Sequence, residues 1–349
     1  MKTRRRLTDV RGILERRRFQ ALREEFYHGL WSDAAAELGA DVARLKNGLL
    51  QISRGSSATF VRQSEVMLDS ALAGRLLLDK EWTYERLAAK GLRTPRRACF
   101  DLGSFARAEE FLLAQPGPVV VKPSDGTGCG HGVTTHVADR SALRDAATHA
   151  AAFHSRLIVE EQLSGASYRL LFLDGEFLDA VRRDPPTLTG DGQSSIRQLA
   201  QQENELRRSG ERITALSPLM IDRESRNTLA AAGLTPNHVP ALGERVRVKL
   251  AVNENAAREN HVVRDAVHPD IVETCSRVAR DFRIGFAGFD LISEDISAPP
   301  EEGLTVFTEI NAGPGIHHHC LVAEPGRAAP VARTILEHIF ETRRGTIDL

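Results

Sequence analysis

Two alternating apolar segments, Phe286 to Ile292 and Leu304 to Asn311, flank a polar turn running from Glu294 to Gly303. Such a pattern reads as a β-hairpin. Among their apolar residues the segments carry Asp290, Glu309 and Asn311. Strand alternation puts Glu309 and Asn311 on one face, and hairpin pairing can bring Asp290 beside them. A cluster of hard oxygen ligands of this kind suits magnesium held by a few protein groups together with substrate phosphates. A solvated strand face is the plainer alternative, but it leaves unexplained why two carboxylates and an amide sit among Val, Phe and Ile.

A second segment lies far upstream. Pro118 and three valines lead into Lys122, and a loop follows in which Gly126, Gly128, Gly130 and Gly132 alternate with Thr127, Cys129 and His131. A β-branched run that ends in lysine and then glycines reads as a strand followed by a phosphate cradle. Glycines let successive backbone N–H groups approach an anion, and the lysine adds a point charge. The loop lacks the Gly-Lys-Ser/Thr ending of a Walker motif. Alone it could equally be a flexible hairpin tip. Taken with the acidic hairpin, it points to ATP and magnesium.

With these motifs the chain resembles the ATP-grasp superfamily of carboxylate-amine ligases, the group that includes D-alanine ligase, glutathione synthetase and cyanophycin synthetase. The resemblance extends over roughly residues 20 to 325. It rests also on Leu78-Asp79-Lys80-Glu81-Trp82 followed by Gly91-Leu-Arg-Thr-Pro95, and on Leu157-Ile-Val-Glu160-Glu161-Gln162-Leu163-Ser-Gly165. Tyr168-Arg169-Leu-Leu, Arg182-Arg183-Asp-Pro-Pro and Thr189-Gly190-Asp191-Gly192 are closest in character to cyanophycin synthetase. The resemblance implies an α/β (α+β) ATP-grasp fold, with the nucleotide held between two α+β subdomains and an N-terminal accessory domain in front. By matching position it implies that Lys80 and Lys122 contact ATP phosphates and that Gly126, Thr127, Gly128, Gly130 and Gly132 close over them. Glu160, Glu161, Gln162 and Leu163 would border the adenine, while Asp290, Glu309 and Asn311 would hold one or two Mg2+ ions. The implied reaction is ATP-dependent amide or peptide bond formation through an acyl phosphate, with amino acids or peptides as substrates. No protein nucleophile is needed for it.

Three departures shape the expectations. Ser167 stands where relatives place an acidic residue on the ribose. Gly288 stands where D-alanine ligases have an arginine for the reaction intermediate, which leaves Arg169, Arg182, Lys249 and Arg264 as candidates for that role. Arg264, in Val262-Val-Arg264-Asp265, is preferred, with Arg182 next; the alternative for any one of them is a surface charge. Ala256-Ala-Arg-Glu259 replaces a Ser-Thr-Gly-Gly stretch of cyanophycin synthetase, which argues against the same substrate.

Composition sets the remaining bounds. The chain has 349 residues with 42% hydrophobic content, enough for two or three subdomains. A formal net charge of -1 gives no global case for nucleic-acid or membrane binding. Lys2, Arg4, Arg5, Arg6, Arg11, Arg16, Arg17 and Arg18 crowd the start. A solvated basic helix explains them, and a docking arm for an acidic partner is the sharper alternative. No apolar span of signal or membrane length is evident, and Cys99, Cys129, Cys275 and Cys320 show no paired spacing, so a cytoplasmic protein with reduced thiols is expected. His317-His-His-Cys320 invites a zinc reading, but adjacent residues cannot all aim at one ion from a regular element; His319 is expected to help shape the substrate pocket. Phe19, Leu22, Phe26 and Leu30 recur at helical spacing.

The expected domains are 1–79, an accessory substrate-side domain with a basic helical start; 80–165, the nucleotide lid; and 166–349, the catalytic, magnesium-binding part. The last carries a polar insertion at about 184–245, helical near Ser195 to Arg208, read as a substrate loop. The partners expected are small-molecule or peptide carboxylate and amine substrates, and a homo-oligomer is allowed. Two other functions remain open at this stage: phosphoryl transfer on the same fold, with His131 or His319 as acceptor, and a non-catalytic ATP-binding module.

Overall fold

A computed structural model describes residues 10–125 and 132–349, the side chains of 10–13 excepted. The earliest basic residues and the loop positions Gly126, Thr127, Gly128, Cys129, Gly130 and His131 lie outside the described residues.

Helix α1 (Val10–Glu37) is followed by a small antiparallel sheet of β1 (Asp41–Arg44), β2 (Leu50–Arg54) and β3 (Ser57–Arg62), with β4 (Glu65–Val66) paired to β3. The buried face of α1 is offset from the spacing in the sequence. It runs through Phe19, Tyr27, Trp31, Ala34 and Ala35, and Phe26 and Leu30 pack at its edge. Tyr27 and Trp31 can occupy the centre because each polar tip has a partner: Tyr27 Oη lies 2.9 Å from His317 Nδ1, and Trp31 Nε1 donates to Gln63 O at 2.7 Å.

Two short helices come next, α2 (Ala71–Leu78) and α3 (Lys80–Ala88). Ser70 and Asp79 cap them, accepting from Ala73 N and Trp82 N at 3.1 Å each. The lid then comprises β5 (Arg97–Phe100), α4 (Phe105–Leu113), β6 (Val119–Pro123), β7 (Thr134–Val137), α5 (Arg140–Ala151) and β8 (Leu157–Glu161). Its antiparallel sheet has the order β5-β8-β6-β7. Val119, Val121 and Val159 pack with α4 and α5, and alternation sends Lys122 and Glu160 to the opposite face.

The central sheet is built from β9 (Ala166–Leu173), β10 (Glu176–Arg183), β13 (Asn260–Val262), β14 (Phe286–Ser293) and β15 (Val306–Ala312), in the order β13-β10-β9-β14-β15. Between β10 and β13 the chain forms β11 (Thr187–Thr189), α6 (Ile196–Ser209), α7 (Arg223–Ala231) and β12 (Arg245–Arg247). This insertion has the helix expected near Ser195 to Arg208 and, beyond what the sequence suggests, its own small core of Leu188, Ile196, Leu199, Leu219, Leu229, Val246 and Val248. The periodicity of α6 is present but disguised. Its buried stripe runs Ile196, Leu199, Ala200, Glu203, Asn204, Arg207, and the Glu203–Arg207 ion pair at 2.7 Å replaces the last apolar contacts.

One face of the central sheet, through Leu170, Phe172, Ala180, Ala287, Phe289 and Leu291, packs on α8 (Pro269–Asp281). The other packs Leu171, Leu173 and Phe286 against α1 and α10 (Val331–Thr342), with the single-turn helix α9 (His317–Cys320) before α10. The final strand β16 (Ile347–Asp348) returns to the first sheet, pairing Ile347 with Ala58. Helix α1 and strands β2 and β3 therefore share a core with the central sheet. Among the described residues no helix is long and apolar enough to cross a membrane.

Trp31 sits at the centre of that shared core, fully buried. Trp31→Ala is expected to lower stability by about 3–5 kcal/mol. Trp31→Phe, which leaves Gln63 O without its donor, is expected to cost about 1–3 kcal/mol. Urea denaturation of both variants measures the two losses.

Candidate active site

Strands β14 and β15 pair antiparallel with Asp290 opposite Glu309 and Gly288 opposite Asn311. The three oxygen-bearing side chains thus share one face. The register steps over Thr308, so that Leu291 pairs with Phe307. This bulge lets both Phe307 and Ile310 enter the core, and it re-aims the strand beside the acidic residues. On the other side, β9 places Arg169 opposite Asp290. Arg169 Nε and Nη2 donate to Asp290 Oδ1 and Oδ2 at 2.6 and 2.5 Å, and Arg183 Nη1 lies 3.6 Å from Oδ1. Burial alone would raise the Asp290 carboxyl; the guanidinium of Arg169, then those of Arg183 and the Lys80 ammonium, outweigh it and hold the group below the usual carboxylate range.

Two lysines face the cleft between the sheets. Lys80 Nζ donates to Glu309 Oε1 at 2.7 Å, and Lys122 Nζ donates to Glu160 Oε1 at 2.6 Å and to Tyr84 Oη at 3.0 Å. Tyr84 Oη in turn donates to Thr308 O at 2.9 Å. Along the hinge, Glu161 accepts from Arg96 N and Nε, and Gln162 Oε1 accepts from His136 N at 2.7 Å; Leu163 is partly buried. Gly132 closes the loop with φ +81, and a Cβ there would lie 2.8 Å from the Phe153 ring. No larger residue fits that position.

The arginines preferred from the sequence are elsewhere. Arg182 alternates with Arg183 along β10, so it faces away from Asp290 and pairs with Asp184 at 2.9 Å. Arg264 is exposed in a single turn, 3.9 Å from Asp265. Lys249 is buried in the insertion between Asp222 and Glu254, 2.8 Å from each. Of the four candidates only Arg169 reaches the acidic face, and Arg183 joins it. Tyr84 and Arg183 are the site residues that sequence reasoning passed over. Tyr84 was legible as the residue one helical turn beyond Lys80; Arg183 required the strand register.

Gly288 has no room for an arginine: a Cβ there would meet Pro314 Cβ at 2.4 Å. The loop beyond Asn311 folds over that position and leads to the histidines. His317 turns to Tyr27 and its ring centroid lies 4.0 Å from that of His318, whereas His319 Nδ1 lies 2.7 Å from Asp179 Oδ2, with the His319–Asp179 pair fully buried. Burial holds all three imidazoles below their ordinary range, joined at His317 and His318 by neighbouring positive charges and opposed at His319 by the Asp179 carboxylate.

Two carboxylates and an amide, whose hard oxygens are of the type a divalent cation takes, lie on one face. Arg169 engages both Asp290 oxygens and Lys80 engages Glu309, and no group of three His, Cys, Asp or Glu side chains that could hold a metal ion is found among the described residues.

No family model matches the chain. It is 29% identical over 295 residues to a cyanophycin synthetase of Trichormus variabilis, which covers 83% of this chain and 32% of the relative. It is 25% identical over 301 residues to the glutathione biosynthesis bifunctional protein of Clostridium perfringens, covering 85% and 38%. The chain thus spans about a third of the length of these curated relatives. The crystal structure of a bifunctional glutathione synthetase from Pasteurella multocida superposes with a TM-score of 0.56 at 20% identity, over 89% of this chain and 43% of that one. The fold is ATP-grasp. In sequence the chain is similar to a part of cyanophycin synthetase and of the bifunctional glutathione biosynthesis protein.

Arg169→Met removes the bidentate partner of a buried carboxylate and is expected to cost about 3–5 kcal/mol. Asp290→Asn in the same background should recover part of that loss, because the buried carboxylate left without its bidentate partner is gone. Urea denaturation of the single and double variants at neutral pH measures the coupling.

Proposed function

We propose that the protein is an ATP-dependent carboxylate-amine ligase that forms an amide or peptide bond through an acyl phosphate. The observation that carries this reading is the convergence on one cleft of Lys80 and Lys122 with the face bearing Asp290, Glu309 and Asn311. Phosphoryl transfer to a carboxylate needs phosphate charge neutralised and the attacking oxygen held in line, and this cleft offers cations and hard oxygens for both.

In this reading Lys80 and Lys122 bind the phosphates, and the Gly126 to Gly132 loop covers them. Glu160, Glu161, Gln162 and Leu163 border the adenine. Asp290, Glu309 and Asn311 hold Mg2+, which when bound supplies further neutralisation of the phosphate oxygens. Arg169 keeps Asp290 ionised and oriented. The γ-phosphoryl group passes to the substrate carboxylate and ADP leaves. An amine then attacks the acyl carbon, its proton is lost, and inorganic phosphate departs as the C–N bond forms. Charge on the tetrahedral oxygen is met by Arg169 and Arg183, the guanidinium groups nearest Asp290, in place of Arg182 and Arg264. The substrates are amino acids or peptides, in keeping with the named activities of the relatives. The reading includes a cytoplasmic setting, and the described cysteines Cys99, Cys275 and Cys320 are free thiols.

The test is ADP and phosphate release from MgATP against pooled amino acids and short peptides, with hydroxylamine present to trap acyl phosphate. A hydroxamate formed only with particular carboxylates is expected, with loss of roughly a hundredfold or more in Glu309→Ala. Omission of Mg2+ should abolish it. Phosphate release without hydroxamate from any carboxylate would count against a ligase.

A further inference from the structure

Tyr84 is fully buried, yet its hydroxyl lies among the most highly charged groups of the cleft. Lys80 and Tyr84 are one helical turn apart on α3 and share a face. The helix is anchored at its start, where the Asp79 side chain accepts from Trp82 N and Lys80 N donates to Ser124 O at 3.1 Å, two residues beyond Lys122. From this one face Lys80 reaches Glu309 on β15, and Tyr84 reaches both Lys122 on β6 and Thr308 O on β15.

The proton inventory fixes the direction of these bonds. A phenol has one O–H to donate, and of its two acceptors Thr308 O at 2.9 Å is much nearer than Glu160 Oε2 at 3.5 Å, so the Tyr84 hydroxyl donates to Thr308 O and accepts from Lys122. The Thr308 carbonyl belongs to the bulge that the β14–β15 register steps over. The Lys122 ammonium has three donors. One goes to Glu160 at 2.6 Å and one to Tyr84 at 3.0 Å, which fixes the rotor and sets the direction of the third N–H. The Arg97 guanidinium lies 4.7 Å from the Tyr84 ring centroid, so a cation also contacts the ring itself. Burial, then the Glu160 charge, raises the phenol well above its ordinary range and keeps the hydroxyl neutral.

We propose that Tyr84 is a positioning residue that orients the Lys122 ammonium toward the nucleotide phosphates and, through Thr308 O, ties that orientation to the strand carrying Glu309 and Asn311. The inference rests on the reading of Lys122 as a phosphate contact. A buried tyrosine serving only the core would stabilise the lid without any dependence on Lys122.

The experiment is a double-mutant cycle read as MgATP affinity by calorimetry on the full chain, using Tyr84→Phe, Lys122→Gln and the pair, with urea denaturation of each to confirm folding. Tyr84→Phe alone is expected to weaken MgATP binding about tenfold. In the Lys122→Gln background the same change should have little further effect, since the group it orients is gone. An equal loss in both backgrounds, or unchanged affinity in Tyr84→Phe, would overturn the positioning role while leaving the ligase reading intact. Absence of MgATP binding by the unaltered protein would sink the nucleotide reading itself, and this inference with it.

Discussion

The bidentate bond between Arg169 and Asp290 is the interaction around which the site is organised. A carboxylate at this depth is sustained only by a partner of matching geometry, and a guanidinium on the neighbouring strand supplies two parallel donors. Because the two residues stand opposite each other in the sheet, the pair also fixes where Glu309 lies, directly across from Asp290 on the other side. Arg183 extends the same arrangement: its guanidinium approaches Asp290 and donates to Asn253 Oδ1 at 3.2 Å, joining the acidic face to the segment that leads out of the insertion.

The same principle governs the cleft. Each lysine expected to meet phosphate is paired with an acid from another strand, Lys80 with Glu309 and Lys122 with Glu160. Tyr84 joins the two sets through Thr308 O. The cost of desolvating these charges is offset by pairing them; Lys80–Glu309 joins α3 to the central sheet, and Tyr84 carries the connection on to Lys122 in the sheet of β5 to β8. Around them, α1 and α10 close a core beneath the histidine turn, on the face of the central sheet that also carries Arg169 and Asp290.

Several parts of this arrangement were legible from local pattern. The acidic hairpin was, because alternation within one strand is a two-residue property that needs no knowledge of neighbours. So was Lys122 at the end of a β-branched run. The buried stripe of α1 was legible only to within a residue, since Tyr27 and Trp31 are accepted into the core by distant partners, His317 and Gln63 O. The helix near Ser195 to Arg208 was legible as well, but the separate small core of the insertion was not, because that helix completes its buried face with Glu203, Asn204 and Arg207, residues that no hydropathy pattern scores as core.

By itself the sequence determined which residues could share a strand face: Glu309 with Asn311, Arg169 with Leu171, and Arg183 apart from Arg182. It also determined the chemistry those residues could supply. Which strands lie side by side was decided only in three dimensions. The order β10-β9-β14-β15 brings Arg169 and Arg183 to Asp290 and leaves Arg182 and Arg264 outside, although all four arginines look alike along the chain. The physical reason is that alternation is set by backbone geometry within a single strand, whereas neighbouring strands are selected by the burial of whole faces against α1, α8 and α10.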